Sequence, residues 1–183
     1  MVAGSILPIA LNEKGELCFL FGKENPMEDS AKGFSDFGGR VEKKETPFQG
    51  ALREGAEELS GFLGDKHQLR KLIKKQGKTL NHVHRTYHVH MFYYPYDENL
   101  VTYYNQNHKF LWENMDKIVL NESKLFEKIE IQWFPFDKLQ EKMSLFRPFY
   151  KTIVLELIER KEEIISFLKK KQHKHNKTVK RVV

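Results

Sequence analysis

The chain has 183 residues, of which 40% are hydrophobic and 31% are charged, and its formal net charge is +6. This length suffices for one domain with its own core. The single cysteine, Cys18, excludes an internal disulfide and a cysteine-based zinc finger, and is typical of a reducing, cytoplasmic compartment. No apolar run approaches the roughly 20 residues of a membrane span, and residues 1–11 carry no basic leader, so we expect neither membrane insertion nor secretion.

The positive charge is concentrated at the C-terminus. Residues 169–183 contain seven basic residues and no acid, which leaves residues 1–168 with a net charge of −1. We therefore predict one domain over 1–168 and a disordered basic tail over 169–183. Two interpretations of the tail fit its composition, namely contact with a nucleic acid and a solvated terminus that favours solubility.

Short apolar runs and alternating patterns predict strands, whereas apolar positions three and four residues apart predict helices. In chain order, we predict a β-hairpin over 5–11 and 17–21, an extended segment over 34–41, a helix after Thr46, a short helix over 65–75, strands over 81–94 and 129–134, and a long amphipathic helix after Pro148. Strands interleaved with helices indicate an α/β domain with layers of helix and sheet.

The helix after Thr46 carries three glutamates on one side. Thr46 and Gln49 form a capping-box pair around Pro47, and Glu54, Glu57 and Glu58 follow at helical spacing. Like charges at this spacing repel each other, and a divalent cation with oxygen ligands would offset that cost. A solvated acidic face is the alternative, and the triplet alone does not exclude it.

The segment before the helix adds further fixed positions. A glycine pair, Gly38 and Gly39, precedes Glu45, and Arg53 stands directly before Glu54. The string from Gly39 to Gly61 resembles the Nudix box, G-x5-E-x7-R-E-U-x-E-E-x-G-U, in every charged position and in the first glycine. Two positions depart from it, because Gly55 stands where the box has an aliphatic residue and Gly61 comes one position late.

The resemblance to the Nudix family implies an α/β/α sandwich with a mixed sheet and a hydrolase of phosphoanhydride bonds. It implies that Mg²⁺ or Mn²⁺ is bound by Glu54, Glu57 and Glu58 with a carbonyl of Gly38 or Gly39. Arg53 would pair with Glu45 and orient the ligands. The general base stays open among Glu58, Glu127 and Glu130, and we include Glu130 among the catalytic candidates.

The substrate implied is a nucleoside diphosphate linked to another moiety. The motif fixes the bond that is cleaved and leaves the substituent open, because substrate choice depends on loops outside the box. The basic tail favours a large polyanion, with capped RNA as one such substrate. The alternative function is a non-catalytic module that binds nucleotide or RNA, but such modules typically lose box glutamates and this chain keeps them.

Two weaker patterns remain. His82, His84, His88 and His90 would lie on one face of the strand over 81–94, and we interpret them as a polar face rather than a zinc site, because no cysteine or obvious carboxylate completes a ligand set. Several aromatic residues could stack on a nucleobase or belong to the core: Tyr103, Tyr104, Trp112 and Trp133. Cys18, in an apolar strand, is expected to be a packing residue.

Overall fold

The computed structural model describes residues 1–25, 32–123 and 127–179. Its strands are β1 (Ala3–Leu11), β2 (Leu17–Glu24), β3 (Phe34–Ser35), β4 (Phe37–Arg40), β5 (Leu80–His84), β6 (Tyr87–Tyr93) and β7 (Lys128–Pro135). Its helices are α1 (Pro47–Glu58), α2 (Lys66–Gln76), α3 (Glu98–Asn114), α4 (Lys117–Glu122), α5 (Tyr150–Glu159) and α6 (Lys161–Val179). None of the helices in these ranges is both long enough and apolar enough to cross a membrane.

The strands form one mixed sheet in which β1 lies at the centre. Strand β1 runs parallel to β6 and antiparallel to β2, as the predicted hairpin requires. The two hairpin strands then diverge, so that β4 pairs with the first half of β1 while β3 pairs with the second half of β2. Strand β7 covers the other edge of β2, and β5 covers the outer edge of β6.

Helices cover both faces of this sheet and bury two hydrophobic cores. On one face, α5 and α6 supply aliphatic residues that pack on sheet aromatics: Ile153, Leu157, Ile164, Leu168, Phe19, Phe21 and Phe134. On the other face, α1, α2 and α3 pack on the remaining sheet residues: Leu52, Leu69, Ile73, Tyr104, Ile6, Leu20 and Ile131. The α/β/α sandwich with a mixed sheet is therefore confirmed.

Helix α1 begins with the predicted capping box. The Thr46 hydroxyl accepts the Gln49 N–H at 3.2 Å, and the Gln49 side chain accepts the Thr46 N–H at 2.8 Å. The helix then lies very close to the sheet at Gly55, where a Cβ would stand 2.4 Å from Ile6 Cδ1. The departure from an aliphatic residue at this box position is therefore explained, because the Ile6 side chain fills the space.

The β3–β4 junction contains a buried acid. Asp36 is fully buried where β1 and β2 diverge, and its carboxylate accepts the Ser5 hydroxyl and the Tyr87 hydroxyl, each at 2.5 Å. Burial raises the pKa of Asp36 to about 6, although both hydroxyl hydrogen bonds oppose the shift. Asp36 therefore links β1, β4 and β6 through hydrogen bonds that the sequence pattern did not indicate.

The strand predicted over 81–94 is wrong, because this segment forms the hairpin of β5 and β6. Arg85 adopts a positive φ of 54° in the turn, and His84 pairs with Tyr87. In this register His82 stands opposite Val89, whereas His88 stands opposite Val83. The turn reverses the side-chain parity, so the four histidines divide between the two faces of the sheet and do not form one stripe.

Other differences concern the helices. Helix α3 was not predicted, because its buried positions are only Leu100, Tyr104 and His108, one of them polar. The long helix expected after Pro148 is two helices that meet at Arg160. The backbone of α6 continues to Val179, through most of the segment for which disorder was expected, while residues 180–183 lie outside the described part.

We predict that the contact of Gly55 with Ile6 decides whether Gly55→Ala raises or lowers the free energy of unfolding. Gly55→Ala should lower the free energy of unfolding by about 1–3 kcal/mol, because overpacking against Ile6 outweighs a helix-propensity gain of about 1 kcal/mol. In an Ile6→Ala background, the same substitution should instead stabilise the chain by about 1 kcal/mol. Urea unfolding of the four chains measures both effects, and an equal loss in both backgrounds would contradict the contact.

We further predict a pH dependence that comes from Asp36. Because its folded pKa of about 6 lies above the ordinary value, Asp36 stabilises the fold most at low pH, and this contribution is lost as the pH rises through 6. Relative to Asp36→Asn, the native chain should lose roughly 2 kcal/mol of unfolding free energy between pH 4 and pH 7.

The matched control for this measurement is Asp137→Asn, because the Asp137 side chain is 75% exposed. Urea unfolding at several pH values should give a constant difference between the native chain and this control. A constant difference for Asp36→Asn as well would show that Asp36 stays ionised in the folded protein.

Candidate active site

Arg53 is the centre of an ionic cluster on α1. Its Nε lies 3.1 Å from Glu45 Oε1 and its Nη2 lies 3.2 Å from Glu45 Oε2, so the guanidinium binds this carboxylate with both sides of its fork. The same Nη2 donates to the Arg40 carbonyl of β4 at 3.0 Å. These contacts lower the pKa of Glu45 and raise that of Arg53, so both groups stay charged.

The remaining Arg53 nitrogen joins two of the box glutamates. Nη1 donates to Glu54 Oε1 at 2.8 Å and lies 3.6 Å from Glu57 Oε2. The Arg53 guanidinium therefore draws the carboxylates of Glu54 and Glu57, which lie on successive turns of α1, toward its Nη1 atom. The expected pairing of Arg53 with Glu45 is present, and Arg53 also contacts Glu54 and Glu57 directly.

The absence of a side chain at Gly39 lets Glu54 approach strand β4. A Cβ at Gly39 would stand 2.7 Å from Glu54 Cδ and 2.8 Å from both Glu54 carboxylate oxygens. The carboxylate therefore lies against the Gly39 backbone in a space that any other residue would fill. This contact brings Glu54 and the glycine pair of β4 together, as the box spacing predicted.

Glu58 faces the interior, unlike Glu54 and Glu57. It is 5% exposed, and its carboxylate accepts the Gly38 N–H at 2.8 Å and lies 3.3 Å from Lys128 Nζ. The three glutamates have the predicted helical spacing, but only Glu54 and Glu57 are partly exposed, whereas Glu58 is buried. Burial raises the pKa of Glu58, and the charge of Lys128 opposes that shift.

Lys128 is a buried residue beside Glu58 that the sequence did not single out. It is fully buried at the start of β7, where its ammonium donates to Glu24 and, at 3.0 Å, to the Ser35 hydroxyl. Arg147 Nη1 also donates to Glu24, at 2.6 Å. Glu24 and Lys128 are 104 residues apart in the chain, so no local pattern could have linked them.

The two late glutamates occupy different surroundings. Glu130 lies on β7 opposite Lys23 and forms an ion pair with it at 3.3 Å. Glu127 is one of the charges that raise the pKa of Glu58, which places it within electrostatic range of the box. Of these two general-base candidates, the structure therefore relates Glu127 to the box, while the role of either residue stays a prediction.

Two of the four aromatic candidates, Tyr104 and Trp133, are structural. Tyr104 is fully buried, and its hydroxyl donates to the carbonyls of Glu58 and Lys128 at 2.7 and 3.0 Å. Trp133 is also buried and donates to the Asp97 carbonyl. Tyr103 is 62% exposed. Cys18 is buried in the core, and burial raises the pKa of its thiol to about 12, which fits a packing role.

The histidines contact a carboxylate that the sequence did not indicate. His82 Nε2 and His84 Nδ1 lie 2.6 and 2.8 Å from the two Glu156 oxygens of α5, whereas His90 contacts Asn81. Within 1–25, 32–123 and 127–179, no group of three or more His, Cys, Asp or Glu residues is placed to hold a metal ion. The histidines therefore connect β5 to α5 and β6.

The donor set of α1 suits a hard divalent cation in its chemistry, although the positions of Glu54, Glu57 and Glu58 do not form a group of three metal-holding carboxylates among the described residues. Glu54 and Glu57 are held toward one point by Arg53 Nη1, and the recess at Gly39 brings Glu54 against the β4 backbone. Carboxylate and carbonyl oxygens are the ligands that Mg²⁺ and Mn²⁺ prefer. The carboxylate of the third box glutamate, Glu58, is held by the Gly38 N–H and by Lys128.

Comparison with known proteins agrees with the resemblance of residues 39–61 to the Nudix box. The NUDIX domain family model matches residues 3–157. The Nudix hydrolase RenU from M. smegmatis is similar over 90% of this chain and 88% of its own, with 16% identity and a TM-score of 0.50. No curated protein matches the chain.

Two further solved structures are similar at lower TM-scores. A C. elegans Ap4A hydrolase in a binary complex is similar over 90% of this chain and 98% of its own, with 13% identity and a TM-score of 0.47. The NUDIX domain of Shewanella oneidensis NrtR, complexed with ADP ribose, covers 90% of this chain and 88% of its own, with 13% identity and a TM-score of 0.42.

The family model covers most of the chain, and the box residues Glu45, Arg53 and Glu54 form one hydrogen-bonded cluster at the start of α1 and along it. The similarity to RenU concerns the fold, because the sequences share few identical residues. The chain belongs to the NUDIX domain family.

Proposed function

We propose that the protein is a divalent-metal-dependent hydrolase of a phosphoanhydride bond in a nucleoside diphosphate linked to another moiety. The observation that carries this proposal is the Arg53 fork, which binds Glu45 with two nitrogens and holds Glu54 and Glu57 with the third. Such a network fixes carboxylates that would otherwise repel each other. It supports their use as metal ligands rather than as a solvated acidic face.

Glu54, Glu57 and Glu58, with a carbonyl of Gly38 or Gly39, would hold Mg²⁺ or Mn²⁺. The cation would neutralise phosphate oxygens and lower the pKa of water at the reacting phosphorus. Arg53 keeps Glu54 and Glu57 oriented, and its own charge is fixed by Glu45. Lys128 offsets the buried negative charge of Glu24 and Glu58, so that both carboxylates are tolerated beneath the site.

The proton acceptor in this scheme is Glu58, Glu127 or Glu130. Glu58 combines a raised pKa with a place on the metal-binding helix, which favours proton transfer near neutral pH. Glu127 contributes to that raised pKa, whereas Glu130 pairs with Lys23. Alanine substitution of each glutamate, followed by the pH dependence of kcat, would identify the proton acceptor as the residue whose loss removes the fall of kcat at low pH.

The substrate class includes capped RNA, with the basic residues of 169–183 as a contact for its phosphates. The support for RNA is the charge of this segment, which holds seven cations and no acid. The competing function is a module that binds nucleotide or RNA without hydrolysis. The network of Arg53 with Glu45, Glu54 and Glu57 favours the enzyme, as does the presence of Glu58 beside the same helix and glycine pair.

We predict that Glu57→Gln abolishes hydrolysis with little loss of stability. Glu57 is partly exposed on α1, so its replacement removes a proposed metal ligand without removing a core contact. Cleavage of ADP-ribose, diadenosine tetraphosphate and capped RNA, each with Mg²⁺ and with Mn²⁺, measures the effect when the two phosphorylated products are separated by chromatography. Thermal unfolding should change by only a few degrees.

The matched control is Glu113→Gln, an exposed glutamate of α3, which should retain native activity. If Glu57→Gln kept that activity too, the metal-ligand assignment would be wrong. If the native chain released product from no substrate but bound these compounds, the non-catalytic function would replace the enzyme.

We also predict that Arg53→Lys loses most of kcat with little change in KM. A lysine ammonium cannot bind Glu45 with two nitrogens while a third holds Glu54 and Glu57, so the ligand carboxylates lose their orientation. The control is Arg160→Lys, because Arg160 also pairs with a carboxylate, that of Glu163, on the other side of the sheet. A large rise in KM at constant kcat would place Arg53 on the substrate instead.

A further inference from the structure

Besides the C-terminal segment, positive charge is concentrated on helix α2 and on Lys78, which follows it. Six cations and one acid lie in residues 65–78, for a net charge of +5, although residues 1–168 together sum to −1. On the helix the cations form two adjacent rows at four-residue spacing, Lys66, Arg70 and Lys74 in one and Lys71 and Lys75 in the other, while His67 precedes the second row and Lys78 follows the helix end. Like charges at this spacing destabilise a helix, so the rows carry a cost unless an anion lies along them.

The packing of α2 directs both rows to solvent. Leu69 and Ile73 are buried against the core, whereas all of these Lys, Arg and His residues are exposed. Within the described ranges, none of these lysines and arginines forms an ion pair with an acid within 4.0 Å. The acid that caps the helix, Asp65, is occupied by the backbone N–H groups of His67 and Gln68.

This surface adjoins the beginning of the box helix. A recess of about 200 Å³ is lined by Glu45, Gln49 and Leu52 together with Lys66, His67 and Arg70. A second recess, of about 330 Å³, lies farther along α2, where Phe48 meets Lys74, Lys78 and Asn81. Cations of α2 therefore border two hollows that both reach the first turn of α1, the helix that carries Arg53 and Glu54.

We propose that the exposed face of α2, with Lys78, binds the phosphodiester backbone of an RNA chain that extends from the phosphoanhydride site. The inference rests on the proposed function for the position of the anhydride and adds the surface that takes the substituent. Repeated phosphates match repeated cations, and α2 spans roughly 16 Å, so the rows meet several successive phosphates.

A nucleic acid fits this helix better than a lipid surface does. Helices that bind membranes insert an apolar face among the lipid chains. The apolar residues Leu69 and Ile73 are buried in the protein and cannot insert, while Leu72 is half-buried. The exposed groups are cations on flexible side chains, which bind a polyanion chiefly by releasing its counterions.

The test is the binding of a labelled, uncapped 20-nucleotide single-stranded RNA, measured by fluorescence anisotropy in EDTA over a range of salt concentrations. Arg70→Gln with Lys74→Gln should weaken binding about 25-fold at 0.1 M salt and lower the slope of log K against log salt by about 1.4. The matched control, Lys14→Gln with Lys109→Gln, removes the same charge from exposed positions on the β1–β2 turn and α3. It should bind like the native chain.

Each result decides the inference. Equal weakening in both double variants would show a net-charge effect and overturn it, as would native-like binding by the α2 variant. Binding of the native chain to phosphatidylserine vesicles but not to RNA would also overturn it. Circular dichroism of both variants confirms folding, and Arg70→Lys with Lys74→Arg should restore RNA binding.

Because the RNA is uncapped and EDTA removes divalent cations, this assay does not depend on hydrolysis. A native chain that binds RNA through α2 but hydrolyses no phosphoanhydride would refute the proposed function and leave the α2 surface standing. A chain that hydrolyses nucleotides but shows no α2-dependent RNA binding would refute the surface alone.

Discussion

Helix α1 lies so close to strands β1 and β4 that the site depends on the absence of side chains between them. A Cβ would stand 2.1 Å from the Pro47 carbonyl oxygen at Gly4, 2.7 Å from Glu54 Cδ at Gly39 and 2.4 Å from Ile6 Cδ1 at Gly55. This approach lets the Glu58 carboxylate reach the Gly38 N–H and sets Glu54 against β4. The functional carboxylates are therefore fixed by the packing of helix on sheet and not by a flexible loop.

Because α1 lies close to the sheet, the Glu58 carboxylate is buried, and its negative charge needs a positively charged partner. Glu58 and Glu24 lie in the interior, and Lys128 stands between them while Arg147 reaches Glu24 from the segment before α5. A buried ion pair adds little net stability, whereas a buried charge that loses its partner costs several kcal/mol. The cluster thus couples β2, β7 and α1 and makes the interior beneath the site intolerant of change at Lys128.

The surface charge is negative around Arg53 on α1 and positive on the neighbouring helix α2. Around Arg53 the acids are in excess, which suits a cation, whereas the exposed face of α2 carries cations without acidic partners among the described residues. A polyphosphate ligand needs both arrangements, because its anhydride is neutralised by a metal and its extended backbone by side chains. The net charge of −1 over residues 1–168 hides this polarity, since the rest of that range carries −6 and outweighs the +5 of residues 65–78.

The residues alone determined the capped helix α1 and the β1–β2 hairpin, because each follows from a pattern within about 20 residues. The resemblance of the box implied the family and the pairing of Arg53 with Glu45. The tertiary structure decided what depends on distant partners or on a reversal of the chain. The turn at Arg85 placed the histidines on opposite faces, since the register that it sets between β5 and β6 pairs even with odd positions. Likewise, Glu58 became buried because Lys128, 70 residues away and on another strand, stands where its charge is met.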